Sequence, residues 1–243
     1  MLQLYFIRHG QSTNNALWAN SDGEGYLEDR HTDADLTEIG LQQAEFVANH
    51  LAQPYRPRGF DPQNHQGFGL THLYCSLMVR AIKTGRAIAQ KTGLPLVAMP
   101  EVHETGGVYD VDVVDGEKKY IGQPGHGRSF FESEFPELIL PDDLPEDGWW
   151  NRDKEPRENY LHRAQSIINS LLEQHQGSDH RVGVVMHGGI FARILTVLFE
   201  VQIEKYWFLM NNCAISRVDI DQNGHVMLVY MNNVSHLPDH LVS

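Results

Sequence analysis

Leu2-Gln-Leu-Tyr-Phe-Ile7, followed at once by Arg8-His9-Gly10-Gln11-Ser12, is the stretch on which the reading of this 243-residue chain turns. The first six residues are apolar, aromatic and β-branched, the pattern of a buried strand. The run stops in a cation, an imidazole and a glycine, none of which adds to a core. In open α/β sheets, ligands collect at the carboxyl ends of the strands. Arg8 offers a planar fork of donors for phosphate or carboxylate, His9 can donate, accept or attack, and Gly10 lets the backbone turn and approach a ligand. Alone, the triplet also fits an ordinary βα loop.

Gln11 to Arg30 is polar and reads as a loop over the strand end. Asp35 or Thr37 then caps a helix whose inward positions are Ile39, Ala44, Phe46, Val47 and Leu51. Pro54 to Gly69 is a surface loop. Strands are predicted at Thr71 to Ser76, Leu94 to Met99 and Arg181 to Met186, with helices at Val79 to Lys91, around Tyr160 to Leu172 and at Ile190 to Phe199. Ile215 to Ile220 and Val226 to Tyr230 resemble a hairpin around Asn223-Gly224. Tyr206-Trp207-Phe208 is expected to be buried. The alternation of strand and helix predicts an α/β protein: a three-layer α/β/α sandwich with a mostly parallel central sheet, in one domain over residues 1–243. Between Thr105 and Pro156 the periodicity lapses, and the stretch reads as an insertion or lid in which Ser129 to Glu134 starts a short helix.

The formal charge of −13 argues against nucleic acid or an anionic membrane as the main partner. An acidic protein that binds a small anion must gather its few cations locally. The two cysteines, Cys75 and Cys213, lack framework spacing, no signal peptide is recognisable, and no apolar run reaches membrane-spanning length. The cytoplasm is the expected compartment. The histidines are too scattered to argue a metal site, so no metal and no cofactor are expected.

Each predicted parallel strand leads into chemistry-bearing residues: Arg8 and His9 after the first, Arg80 after the second, Glu101, His103 and Glu104 after the third, His187-Gly188-Gly189 after the fourth. Parallel strands share their carboxyl edge, so two arginines, two histidines and a glutamate converge on one pocket. Arg8, Arg80 and His187 would hold a phosphoryl group and its spreading charge. Neutral His9 would attack phosphorus in line, and a carboxylic acid would protonate the leaving oxygen and later deprotonate water.

With those residues in view, the chain resembles the histidine phosphatase superfamily, in its phosphoglycerate-mutase-like branch. The resemblance rests on Arg8-His9-Gly10-Gln11-Ser12 with Asn15, on Asp33 to Ala44, on Cys75-Ser-Leu-Met-Val-Arg80 and on Val184-Val-Met-His187-Gly-Gly-Ile190. It implies His9 as phospho-acceptor, with Arg8, Arg80 and His187 in the phosphate pocket and Asn15 and Gly188 among the substrate contacts. It also implies Glu104 as acid/base, four residues past Pro100, with Glu101 as the alternative because the following glycines sit closer than the family pattern has them. His187 is followed by Gly rather than Asp, unlike the acid-phosphatase branch.

Gly125-His126-Gly127-Arg128-Ser129 offers a candidate substrate clamp through Arg128, with a solvated loop as the other reading. Glu104-Thr-Gly-Gly-Val-Tyr109 lacks the Glu-Arg-His-Tyr-Gly segment and Arg-Arg pair typical of the resembling mutases, and Thr105 to Gly127 carries cations only at Lys118-Lys119. The expected activity is therefore metal-independent hydrolysis of a small phosphomonoester through a phosphohistidine on His9. The alternatives are a phosphoglycerate-type mutase whose second anion site comes from Arg128 or Arg152, and a low-turnover phosphatase-fold binding or regulatory protein. Neither the particular ester nor the oligomeric state can be read from the sequence.

Overall fold

The computed structural model describes residues 1–21, 29–114, 117–202 and 205–243. β1 (Leu2–Arg8) lies near the middle of a seven-stranded sheet. With β2 (His72–Cys75), β3 (Leu96–Ala98), β6 (Leu138–Ile139), β7 (Arg181–Met186), β8 (Ile215–Ile220) and β9 (Val226–Asn233), the order is β6-β3-β2-β7-β1-β8-β9. The first five strands in that order run parallel, and β8 and β9 are antiparallel to their neighbours.

β1 alternates between two cores, which is why it reads as a continuous apolar run rather than a polar–apolar alternation. Leu2, Leu4 and Phe6 join β7 residues under α5 (Asn159–His175) and α6 (Gly188–Leu198). Tyr5 and Ile7 face α2 (Glu38–Leu51) and α3 (Val79–Thr92) on the other side. The mostly parallel sheet with helices on both faces is the layered α/β architecture expected from the sequence.

Several boundaries differ from expectation for identifiable reasons. Part of the supposed loop after β1 is helical, α1 (Thr13–Asn20), because Ser12 and Asn15 form a capping box; residues 22–28 of that loop lie outside the described ones. Thr37, not Asp35, caps α2 by accepting the Gly40 N–H, while Asp35 pairs with Lys83. Ala44, Val47 and Leu51 are buried as expected, but Ile39 and Phe46, seven residues apart, fall on the exposed flank. Tyr206 and Trp207, expected inside, are exposed.

The stretch 105–156 is not a uniform lid. It begins as a separate hairpin, β4 (Tyr109–Val114) and β5 (Glu117–Gly122). It then returns to the body: α4 (Arg128–Glu134) supplies Phe131 to the core, and β6 pairs with β3 as a sheet edge. Strands as short as β6, two residues, leave no period for a sequence pattern to reveal.

Two glycines let the loop after β1 lie against the start of α2. A Cβ on Gly10 would sit 2.4 Å from the Gly40 carbonyl oxygen, and one on Gly40 would sit 2.1 Å from that of Gln11. These neighbours are backbone and cannot swing aside. Gly40→Ala is therefore expected to destabilise the protein by about 1–3 kcal/mol or more through overpacking, read as a lowered midpoint in chemical denaturation.

Candidate active site

β1 and β7 pair in parallel with Arg8 opposite Met186, so His9 and His187 leave adjacent strands at the same edge. Their ring centroids are 4.9 Å apart, and both residues are buried. The Nδ1 of His9 meets the Gly10 carbonyl oxygen at 2.6 Å, an acceptor, so Nδ1 carries the proton. Nε2 accepts the Nε–H of Arg80 at 3.2 Å. The imidazole is thereby held neutral, with its Nε2 lone pair beside a guanidinium.

His187 stands at the N-cap of α6. Its Nε2 lies 2.8 Å from Ser76 Oγ, which itself accepts the Met78 N–H. The hydroxyl proton is free to go to Nε2, leaving the His187 proton on Nδ1. His187 Nδ1 and Arg8 Nε are buried without a hydrogen-bond partner among the described residues. Two orphaned donors at one sheet edge suit an incoming anion, since a buried donor left unpaired is costly.

Arg8 is anchored by its Nη1, which donates to the Met210 carbonyl at 2.5 Å, and its side chain passes within 4 Å of where a Gly188 Cβ would be. Arg80, in the first turn of α3, also pairs with Asp33, whose carboxylate accepts the Val79 N–H. Asn15 does not face the cavity freely: its Oδ1 accepts from Ser12 and from Asn212 Nδ2, which also bonds the His9 carbonyl.

The carboxylate of Glu104 meets the start of α6. Oε2 accepts the Gly189 N–H at 3.2 Å, and Oε1 accepts those of Ile190 at 3.2 Å and Thr105 at 2.7 Å. A Cβ on Gly189 would lie 2.3 Å from Oε1, so a larger residue there would push the Glu104 carboxylate out of this position. Glu104, Arg80, Ser12, Arg30, Thr105 and Tyr109 border a cavity of about 100 Å³. Glu101 is exposed on the short 3-10 turn Pro100–Val102 and faces a different cavity, of about 580 Å³, beside Arg152 and Arg163. That second cavity holds none of the histidine–arginine cluster.

The segment carrying Glu104 is braced from behind. Arg163 is buried and donates to the carbonyls of Glu101 and His103, and it forms a two-bond ion pair with Glu155. His103 is buried against Trp149 and Trp150 rather than facing the cavity.

Arg128 departs from its expected role. Its guanidinium is taken by the carbonyls of Pro141, Asp142 and Leu144 and by Glu132, so it ties the chain after α4 instead of reaching the His9 edge. Arg152 lies over the Trp150 ring, 4.0 Å from its centroid. The cations that do adjoin the cavity come from elsewhere. Arg30 bonds the Tyr109 carbonyl, and Lys154, Arg157 and Arg193 share a second hollow of about 410 Å³ with Tyr109, Tyr120, Tyr160 and Trp207. The two hollows have Thr105 and Tyr109 in common. Sequence reading missed Arg30, Arg157 and Arg193 because each comes from a different element; Ser76 and Asp33 lie inside sequence motifs, but only the fold sets them against His187 and Arg80. Likewise, the scattered histidines 72, 175 and 180 are brought together by the fold.

Burial, followed by the nearby Arg80 and Arg8, holds the pKa of His9 well below 6.5. Burial and Arg80 do the same for His187, and burial and Arg163 for His103. A base with a depressed folded pKa takes up protons on unfolding, so stability is lost as pH falls below about 6.5. Chemical denaturation from pH 7 to pH 5 is expected to show a falling midpoint, with a loss at pH 5 of up to about 2 kcal/mol for each fully buried neutral imidazole.

Residues 4–113 and 125–233 match the family model of the histidine phosphatase superfamily, branch 1. The chain is 27% identical over 229 residues to a Yersinia pestis protein named "Probable phosphoglycerate mutase GpmB", covering 92% of this chain and 87% of that one. Among solved structures it is similar to the Entamoeba histolytica phosphoserine phosphatase in complex with 3-phosphoglyceric acid (18% identity, 98% of this chain and 100% of that one, TM-score 0.58). It is also similar to the Shigella flexneri alpha-ribazole phosphatase (21% identity, 95% and 96% covered, TM-score 0.59). With that family model matched over most of its length, the chain belongs to the histidine phosphatase superfamily, branch 1.

Proposed function

We propose that this protein hydrolyses phosphomonoesters through a phosphohistidine formed on His9. The observation that carries the reading is the state of the His9 ring, with Nδ1–H given to the Gly10 carbonyl and Nε2 presented beside Arg80. In the first step Nε2 attacks phosphorus, the N–P bond forms and the ester P–O bond breaks. The leaving oxygen takes a proton from the Glu104 carboxyl. In the second, Glu104 removes a proton from water, whose oxygen attacks phosphorus and returns His9 with inorganic phosphate. Arg8, Arg80 and the Nδ1–H of His187 offset the charge on the non-bridging oxygens throughout, a stabilisation fixed in place before reaction.

The second hollow bears on the substrate. Lys154, Arg157 and Arg193 give it positive charge, and Tyr109, Tyr160 and Trp207 give it aromatic walls. This supports a phosphomonoester carrying a further anionic group, and it gives the mutase reading a specific footing that residues 105–127 alone lacked. Such chemistry agrees with the relatives named for phosphoglycerate mutase and for a complex with 3-phosphoglyceric acid.

The test compares phosphate release from 3-phosphoglycerate and from an uncharged-tail alkyl phosphate, alongside interconversion of 2- and 3-phosphoglycerate with bisphosphoglycerate present. Hydrolysis is expected to exceed interconversion, with the doubly anionic ester preferred. Arg157→Ala is expected to raise KM for that ester about tenfold with little change in kcat, the pattern of lost uniform binding. Interconversion outrunning release would make the protein a mutase, and failure to turn over or label with any ester would make it a binder.

A further inference from the structure

We propose that His72, His175 and His180 form a binding site for a divalent metal ion of the zinc class, at the edge of the sheet opposite His9. His72 opens β2, His175 ends α5 and His180 immediately precedes β7, so three elements converge there. One ligand nitrogen from each ring lies within 4.8 Å of the other two. Tetrahedral zinc with Zn–N of about 2.1 Å sets its nitrogens about 3.4 Å apart, so small side-chain rotations close the set.

The hydrogen bonds around the cluster orient the rings as ligands. Tyr74 Oη donates to Gln174 Oε1 at 3.1 Å, so toward His175 it can only accept, which puts the His175 proton on Nε2. The His175 Nδ1 lone pair then points at His180 Nδ1, 3.0 Å away. Thr71 Oγ1 donates to the Arg181 carbonyl and accepts from His72 Nδ1 at 2.9 Å, which leaves the His72 Nε2 lone pair open. Fixing the far ring nitrogen in this way is how metal-binding histidines are held in the right tautomer and orientation. To complete the set, His180 carries its proton on Nε2 and gives Nδ1 to the ion.

The supporting backbone is rigid. Ser178 Oγ donates to the His175 carbonyl and accepts the His180 N–H, closing the turn between the two histidines, and Thr71 N–H bonds the Arg181 carbonyl at 2.8 Å. His175 is buried, while His72 and His180 are half-buried, which leaves a fourth position for water from solvent. The neighbouring charges turn elsewhere: Arg181 donates to the Gly69 carbonyl and lies over the Tyr55 ring, and Asp179 pairs with the amino terminus. Three neutral imidazoles with an open position suit Zn²⁺ or Co²⁺ rather than Mg²⁺ or Ca²⁺, which take oxygen ligands. A bound ion would tie β2, β7 and α5 together.

The test titrates the full-length, chelator-treated protein with Zn²⁺ by calorimetry and with Co²⁺ by visible absorption, and follows thermal melting. One equivalent is expected to bind at about micromolar Kd or tighter, with the d–d bands of nitrogen-ligated Co²⁺. A hundredfold excess over Kd is expected to raise Tm by about 5–10 °C. His72→Gln and His180→Gln are expected to weaken binding tenfold to a hundredfold or more and, at the same Zn²⁺ concentration, to cut the Tm shift by about half or more, while phosphate release at His9 stays unchanged. No saturable binding, or Zn²⁺ binding of equal strength to the double variant H72Q/H180Q, overturns the proposal, the latter because the ion then sits elsewhere.

Discussion

His9→Ala is expected to lower phosphate release by roughly 10⁴-fold or more, the scale on which deleting a covalent nucleophile acts. The size follows from the surroundings of the ring. Among the groups gathered at that edge, His9 alone combines a neutral imidazole, a lone pair at Nε2 and a guanidinium at 3.2 Å. Arg8 and Arg80 cannot attack, and His187 turns Nε2 to Ser76 and keeps its Nδ1 proton. Rapid quench with a ³²P-labelled ester should find acid-labile, base-stable phosphate on the wild type and none on the variant. Because burial holds the His9 pKa well below 6.5, the acid limb of kcat/KM, where the nucleophile is protonated, is expected below that value. An Ala variant that folds, as judged by its melting curve, and turns over at the wild-type rate would remove the nucleophile from this account.

Glu104→Gln is expected to cost 10²- to 10⁴-fold in turnover of an alkyl phosphate, the usual range for a positioned acid/base. The loss should depend on the leaving group. A phenolate of low basicity departs without help, so p-nitrophenyl phosphate should still phosphorylate His9 while hydrolysis stalls for want of a base, and phosphoenzyme should accumulate. Gln places an amide NH₂ where one carboxylate oxygen now accepts from the start of α6. Glu104→Asp, which keeps both acceptors on a shorter stem, is therefore the companion variant and should retain more activity. Glu101→Gln should change little, since Glu101 is exposed and faces the other cavity. The reverse ranking of Glu101 and Glu104 would reassign the acid/base.

Both experiments bear on proposals that were already legible as residue types. β1, β7 and α3 could be read because their periodicities are strong and their ends carry residues that no core needs. Glu104 could be named only through resemblance, and its contact with the Gly189 and Ile190 N–H groups depends on how the chain after Pro100 brings its carboxylate to the start of α6. Arg128 shows the opposite case: a cation beside two glycines looked like a clamp, but the carbonyls of Pro141, Asp142 and Leu144 lie closer. A loop cation bonds whichever acceptors the fold brings near, and sequence spacing does not encode that.

The short hairpin, α1 and β6 were missed for a related reason. α1 and β6 are too short for a periodic apolar face and form through capping and through pairing with β3, and the hairpin's strands bury none of their described residues, so no apolar alternation marks them. Within 105–127 the only cations are Lys118 and Lys119, which favoured hydrolysis over mutase chemistry in the sequence, whereas the second hollow draws Lys154, Arg157 and Arg193 from outside that window.

By itself the sequence determined the layered α/β class and singled out His9, Arg8, Arg80 and His187 as candidates, since apolar periodicity and out-of-place polar residues are local signals. Only the tertiary structure decided which nitrogen of His9 carries the proton, which glutamate borders the cavity, where Arg128 goes and that His72, His175 and His180 meet. Those are questions of direction and distance between segments as far apart in the chain as His72 and His180, and they are answered by packing, which a linear pattern does not record.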